Sequence, residues 1–475
     1  MKPVFLLYFA FIACIPAAVA RQKATIVPGA CLVAIDSSFK THCGYLVVPE
    51  NRSKKNGKTI QLPFVIVESK NPDKRKDPLL FTSGGPGTSS IRWATGISKS
   101  TIINDRDCIA FEQRGTHFAI PNTEGPELGD AMKMAYRKNL NKDSMMLEGV
   151  KRYRKGLEAK GIDLEAYNTD ESVADIHDFL TALKIDSVNL FGISYSGGLM
   201  MAVLKEDSSR IRSVILNSPL PMFVPIDEDE PANFNEALNI LFSHCEKDSA
   251  DQVRYGNLKN RFQQYFNDIA DKKFYIKYLE EGTKDSLNIA YDRNDLFDVI
   301  QDAFGGPVAA VPYVITDIIS GRHAAYIKPL LDRLFKYGKG PNGMRISAYC
   351  ADQYNYHNEK VVQSIYNAYP YMKGYHINDV YNAVCDCWKY KPVKPATKTA
   401  FYTTRYALLA DGEMDNACRP LYIDMIRHYM PNSYRLLFTK RAHGVGGPEF
   451  MPILREFLNN PAKLPVSGSP DVIVY

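Results

Sequence analysis

The sequence predicts an α/β fold: a mostly parallel, eight-stranded sheet carrying a large helical insertion. Three observations predict it. Short apolar runs alternate with stretches of helical periodicity up to about residue 222 and again from about residue 398. One run, Val188-Asn189-Leu190-Phe191-Gly192-Ile193, leads straight into Ser194, and the apolar stretch 199–204 follows the pair Gly197-Gly198. Strand, turn-borne serine and helix in succession form a nucleophile elbow, whose tight turn demands small residues two before and two after the serine. Finally, the last two apolar runs are followed by Asp411-Gly412-Glu413-Met414-Asp415 and by Lys440-Arg441-Ala442-His443-Gly444. An acid and a histidine thus stand just beyond two strand ends.

Length and composition suit this scheme. The chain has 475 residues, 45% hydrophobic and 23% charged, which fits one globular catalytic domain with an insertion. A net charge of +5 is small for that length and gives no argument for a nucleic-acid partner. At the N-terminus, Lys2 precedes an apolar run over 4–13, and Ala18-Val19-Ala20 provides a small-x-small cleavage pattern. Residues 1–20 are therefore expected to be a signal peptide, the apolar stretch being too short to span a membrane. An exported chain, periplasmic or extracellular, follows. Cys14 offers a lipoprotein alternative, for which Phe11 fits poorly three positions upstream. Of nine cysteines, eight lie beyond this segment, an even number that suggests disulfides in an exported chain. There is no CxxC pair, and Cys385-Asp386-Cys387 is too tight for a zinc ribbon, so neither a metal nor another cofactor is expected.

Taken in order, residues 43–49 and 59–68 read as an antiparallel pair around the turn-rich 51–58. Residues 78–82 form a short buried strand ending in Ser83-Gly84-Gly85-Pro86-Gly87, glycines that let backbone N–H groups approach a developing oxyanion. The next strand, 108–112, runs into Gln113-Arg114-Gly115-Thr116. A polar helical stretch occupies 121–170, and 173–183 carries apolar residues at helical spacing before the elbow strand. Residues 212–217 are a further strand. From 223 to 397 the periodicity is mostly helical and rich in tyrosine, which marks an inserted cap; 21–222 and 398–475 make the catalytic domain. Strands return at 406–410 and 435–439.

A serine hydroxyl is a weak nucleophile and needs a base oriented by a carboxylate. Ser194, then Asp415, then His443 supplies these in the chain order of the α/β-hydrolase fold. His443 alone among the histidines sits on a loop just after a C-terminal core strand. Asp411 and Glu413 rival Asp415, but Asp411 is still at the strand end. Ser196 stands where the elbow usually has glycine, and reading the motif as S-x-S-x-G would make it the nucleophile. The strand ends at Gly192-Ile193, which places Ser194 on the turn and Ser196 in the helix.

These residues together resemble the secreted proline-iminopeptidase and tripeptidyl-aminopeptidase branch of the α/β-hydrolases. The matching pieces are Cys31 and Cys43 followed by Leu46-Val47-Val48-Pro49, the Gly84-Gly85-Pro86-Gly87 loop, Glu112-Gln113-Arg114-Gly115-Thr116, Gly192-Ile193-Ser194-Tyr195, Leu216-Asn217-Ser218-Pro219, Gly412-Glu413-Met414-Asp415 and His443-Gly444. The resemblance implies Ser194 as nucleophile, Asp415 as acid, His443 as base, and the N–H groups of Gly85 and Tyr195 as the oxyanion hole. It implies that Asp352, two residues after Cys350, receives the substrate's free amine, and that Cys387 is the partner of Cys350 as Cys43 is of Cys31. The chain departs from the pattern at Ser83 (often histidine), Glu112 (aspartate), His117 (glycine), Ser196 (glycine) and Asp251, near which a second cap cysteine would be expected.

The expected activity is that of a serine exopeptidase acting on peptides with a free N-terminus. A buried ammonium demands a carboxylate; besides Asp352, the run Asp227-Glu228-Asp229-Glu230 offers one, with Glu228 as the candidate. A carboxylesterase of the same fold and a non-catalytic binding protein on a hydrolase scaffold are the alternatives. Oligomeric state is left open by the sequence.

Overall fold

A computed structural model describes residues 23–475 apart from 56, 285 and 339. The expected signal peptide and Cys14 lie outside the described residues. Twelve strands follow in chain order: β1 (Thr25–Pro28), β2 (Thr41–Pro49), β3 (Thr59–Val67), β4 (Arg75–Thr82), β5 (Arg106–Phe111), β6 (Val188–Ile193), β7 (Ile211–Asn217), β8 (Phe274–Leu279), β9 (Ser286–Tyr291), β10 (Tyr406–Gly412), β11 (Ser433–Phe438) and β12 (Val472–Val474).

Ten of these build one sheet in the order β1-β2-β3-β5-β4-β6-β7-β10-β11-β12. From β5 to β11 every neighbouring pair is parallel, whereas β1, β2, β3 and β12 join antiparallel. This is the α/β-hydrolase fold. The sheet has ten strands where eight were expected, because β1 and β12 flank the expected eight at its two edges. Both are runs of four residues or fewer and half-exposed, so neither carries a periodic signal.

The central strands are apolar throughout because both faces are covered. Along β6, Leu190 enters the core on one face and Phe191 the core on the other; along β7, Val214 and Leu216 alternate with Ile215 in the same way. The parallel crossovers bring the C-terminal ends of β4, β6, β7, β10 and β11 to one edge of the sheet, the general location of ligand sites in open α/β sheets.

Between β7 and β10 the chain forms mainly helices. It also contains the antiparallel hairpin β8-β9, which the mostly helical periodicity expected there did not single out. Burial in β8 alternates strictly along Phe-Tyr-Ile-Lys-Tyr-Leu, a period of two that short length conceals among helices. The helices Glu127–Lys138 and Lys142–Ala159 precede the elbow in sequence, yet they share one hydrophobic core with this insertion and with Tyr195.

Two disulfides are present among the described residues. Cys31–Cys43 is as expected; Cys350 pairs with Cys385 and not with Cys387. Residues two apart on a helix point to nearly opposite sides. In the short helix Asn382–Asp386 it is Cys385 that turns inward to buried Cys350, which leaves Cys387 a free thiol at the helix end.

Candidate active site

The turn after β6 is as tight as its sequence demands. Ser194 has φ 57° and ψ −126°, a conformation costly for a non-glycine residue and typical of positions where surrounding structure imposes strain. A Cβ on Gly192 would run into the Ser196 carbonyl, so only glycine lets the strand pass under the following helix, Tyr195–Glu206. Ser196 is fully buried and its hydroxyl is bonded to that of Thr82 on β4, beneath the turn. Ser194 instead lines a cavity, and a side-chain hydrogen bond links it to the Cys418 thiol.

Asp415, buried, lies just beyond β10. One of its carboxylate oxygens accepts the backbone N–H groups of Ala417 and Cys418 at 3.0 and 2.7 Å. His443 Nδ1 stands 2.9 and 3.0 Å from the two carboxylate oxygens. A carboxylate can only accept, so the proton sits on Nδ1 and Nε2 is left as the basic nitrogen. Burial pulls the imidazolium down in pKa, but the charge and hydrogen bond of Asp415 outweigh it and the net shift is upward. The rivals are placed elsewhere: Asp411 faces Arg435 at 3.3 Å within the sheet, and Glu413 faces His244 at 3.3 Å.

Residues to which the sequence assigned no role hold the histidine loop. The Asn217 amide donates to the Val445 carbonyl at 2.6 Å and its oxygen accepts the Val445 N–H at 3.0 Å; the Ser218 hydroxyl accepts the Gly444 N–H at 2.9 Å. The motif Leu216-Asn217-Ser218-Pro219 thus joins the end of β7 to the loop after β11.

The Gly84-Gly85-Pro86-Gly87 loop lies directly on the elbow. A Cβ on Gly84 would sit 2.5 Å from the Ile193 carbonyl and 2.8 Å from Ser194 Cβ, and Gly85 adopts φ +112°. Tyr195 is the first residue of its helix, where a backbone N–H has no intrahelical partner. Both N–H-bearing positions border the Ser194 cavity. Buried Glu112 anchors the far end of the loop: it accepts the Ser89 hydroxyl and the N–H groups of Ser90 and Ile91 at 3.0, 2.8 and 3.0 Å. The acid found here in place of aspartate therefore retains a full set of partners.

The cavity, about 220 Å³, is closed on its other side by the insertion, which contributes Glu230, Arg345, Tyr349, Asp352 and Asn378. Asp352 is buried; its Oδ2 accepts the Thr169 hydroxyl at 2.7 Å, Thr169 also meets the Tyr195 hydroxyl at 2.6 Å, and Oδ1 has no hydrogen-bond partner among the described residues. Burial raises this carboxyl well above the ordinary carboxylate range despite the charge of Lys398. Glu230 is raised likewise, by burial and then by the charge of Asp227, while Asn378 donates to it at 2.9 Å and Tyr349 at 3.2 Å. Arg345 hydrogen-bonds Asp379, Asn378 and the Gly85 carbonyl, and its charge partly offsets the upward shift of Glu230.

Of the residues expected at the site, Ser194, Gly85, Tyr195 and Asp352 meet in this cavity, whereas Asp415 and His443 are bonded to each other and do not belong to its lining. Glu228 does not join them; its carboxylate accepts the Asn358 N–H at 2.6 Å outside the cavity lining. Glu230, two residues on and opening the helix Glu230–Lys247, takes that place. A four-acid run signals that an acid faces inward but not which one. Among the described residues no group of three or more His, Cys, Asp or Glu side chains is placed to hold a metal, and no helix is long and apolar enough to cross a membrane.

The family model of the α/β-hydrolase fold matches residues 77–237, the stretch from β4 through the elbow into the insertion. Among curated proteins no relative is matched. Among solved structures, the chain is similar to a proline iminopeptidase of Mycobacterium smegmatis at 13% identity, with a TM-score of 0.40 over 88% of this chain and 98% of that one. It is also similar to an esterase of Exiguobacterium antarcticum at 11% identity, with a TM-score of 0.34 over 84% of this chain and 96% of that one. A meta-cleavage product hydrolase of Pseudomonas fluorescens is similar at 14% identity, with a TM-score of 0.37 over 84% and 94%. Likeness at this distance says nothing of the substrate.

Proposed function

We propose that the protein is an exported serine exopeptidase that removes residues from the free N-terminus of peptides. Ser194 attacks the scissile carbonyl as His443 Nε2 takes its proton; Asp415 holds the imidazole and stabilises the imidazolium. The N–H groups of Gly85 and Tyr195 receive the oxyanion, and water then clears the acyl-enzyme. Export is supported by the two disulfides, which persist in oxidising compartments.

The observation that carries the aminopeptidase part is the pair of buried carboxyls, Asp352 and Glu230, in the cavity that Ser194 lines. Both are costly to ionise alone, Asp352 keeps an oxygen without a partner, and an entering ammonium would satisfy both needs. An esterase of this fold would be better served there by an apolar acyl pocket. The test compares fluorogenic peptides with free and acetylated N-termini. Free peptides should be turned over and acetylated ones should be slower by at least tenfold. Equal rates on the two would replace this proposal with an esterase or endopeptidase, and no labelling by a fluorophosphonate would leave a non-catalytic binding protein.

A further inference from the structure

A second cavity, about 720 Å³, lies beside the loop that follows β11. Its walls are His443 and Gly444, Met414 after β10, Leu241 on the helix Glu230–Lys247, and the turn that follows the helix Arg293–Phe304. It shares no lining residue with the Ser194 cavity: the serine, Gly85 and Tyr195 open onto one, His443 onto the other.

We propose that this second cavity binds the leaving half of the substrate, the peptide segment that begins at the scissile nitrogen, and that it prefers an apolar residue in the first position. The inference rests on the exopeptidase proposal above. When the tetrahedral intermediate collapses, the C–N bond breaks and its electron pair goes to nitrogen. The proton that His443 took from Ser194 passes from Nε2 to that nitrogen, leaving an acyl-serine ester and a free amine. Water then adds to the ester carbonyl, gives a proton through His443 back to Ser194, and releases the carboxylic acid. The departing nitrogen must be within reach of Nε2, since Nδ1 is held by Asp415. The chain attached to it therefore leaves on the histidine's side, where this cavity opens.

The composition of the walls sets the preference. Leu241, Phe304, Val308 and Met414 are buried and make an apolar floor. Charges stand at the rim and nearly balance: Lys247, Lys440 and Arg441 against Asp248 and Asp251, with Lys440 already paired to Asp471 at 2.9 Å. An apolar side chain gains by burial on that floor in proportion to the apolar surface it removes from water. The cavity is also about three times the volume of the one lined by Ser194 (720 against 220 Å³), so the leaving segment has room to be longer than the segment released.

The test uses the whole protein and a substrate series with one free-amine acyl part and different leaving parts: a methyl ester, a glycyl peptide and a leucyl peptide. The leucyl peptide should exceed the glycyl peptide in kcat/KM by at least tenfold in the wild type. Gly306 and Ala309 are exposed on the cavity wall, and a Cβ on Gly306 would meet nothing closer than 3.6 Å. Gly306→Trp and Ala309→Trp should lower leucyl-peptide cleavage at least tenfold more than methyl-ester cleavage. Equal rates on leucyl and glycyl peptides in the wild type would overturn the proposal without any variant, as would an equal loss on peptide and ester in the tryptophan variants. Failure of the exopeptidase proposal has a separate signature: acetylation of the substrate would then make no difference, whatever the leaving-group preference.

Discussion

On the sheet side of the cavity, the groups proposed for bond-making sit at the C-terminal ends of parallel strands, Ser194 on a turn set by its local backbone and His443 on a loop that Asn217 and Ser218 hold. On the opposite side, Glu230, Asp352, Asn378 and Thr169 come from four separate stretches of the chain, and each carboxyl depends on side chains far away in sequence. The first region stores backbone strain in Ser194; the second stores desolvation in two acids. The contrast is instructive. Chemistry common to a fold needs a rigid turn that any apolar strand and helix can impose, whereas recognition of one substrate needs charge held out of water, which only a closed insertion can provide.

The sharpest way to break the comparison is at the turn. Ser194→Ala should lower kcat/KM by about 10⁴-fold or more and abolish fluorophosphonate labelling, the scale seen when a member of such a triad is removed. Ser196→Ala, two residues on and bonded only to Thr82, should retain a measurable rate. Mass spectrometry that placed the adduct on Ser196 would overturn the assignment.

The opposite wall should give a smaller and more selective effect. Glu230→Gln and Asp352→Asn should each raise KM for free-amine peptides by roughly 30-fold, about 2 kcal/mol, the low end for removing one partner of a buried charge pair. Acetylated substrates should be nearly indifferent to either change. The two acids also make a pH prediction. Burial raises both carboxyls, so the folded chain binds more protons than the unfolded one between the ordinary carboxylate range and their raised values. Their contribution to stability is therefore greatest at low pH and declines as pH rises through that window. Each variant should flatten that decline in a series of Tm measurements. His443, raised by Asp415, must lose its proton to act as base, so turnover should fall as the medium becomes acidic.

Cysteine variants should sharpen the comparison with the least effect on turnover. Cys385→Ser opens the bridge to Cys350, two residues from Asp352, and should cost about 2–4 kcal/mol of stability, the usual worth of a disulfide. Cys387→Ser should change stability by no more than about 0.5 kcal/mol, as for substitutions that break no buried contact. Denaturant melts of the two variants decide this directly, and equal losses would contradict the pairing.

The sequence by itself determined the fold class and the order of serine, acid and histidine along it. Those features are local: Gly192 before Ser194, apolar runs buried on both faces, and glycines where backbone crosses backbone all have short-range steric causes. The pairing of Cys31 with Cys43 was expected from the resemblance to a known family, and the structure contains it. Tertiary structure alone decided what surrounds the serine. Whether Glu228 or Glu230 faces inward depends on the rotation of the helix that Glu230 begins, and Cys385 or Cys387 on that of the helix Asn382–Asp386, each set by packing against distant partners. Asn217 and Ser218 were visible as a motif, but their work on the histidine loop appears only when β7 and the loop after β11 are brought together. Likewise the buried carboxyls could not be weighed beforehand, because desolvation belongs to the assembled cavity and to no stretch of chain.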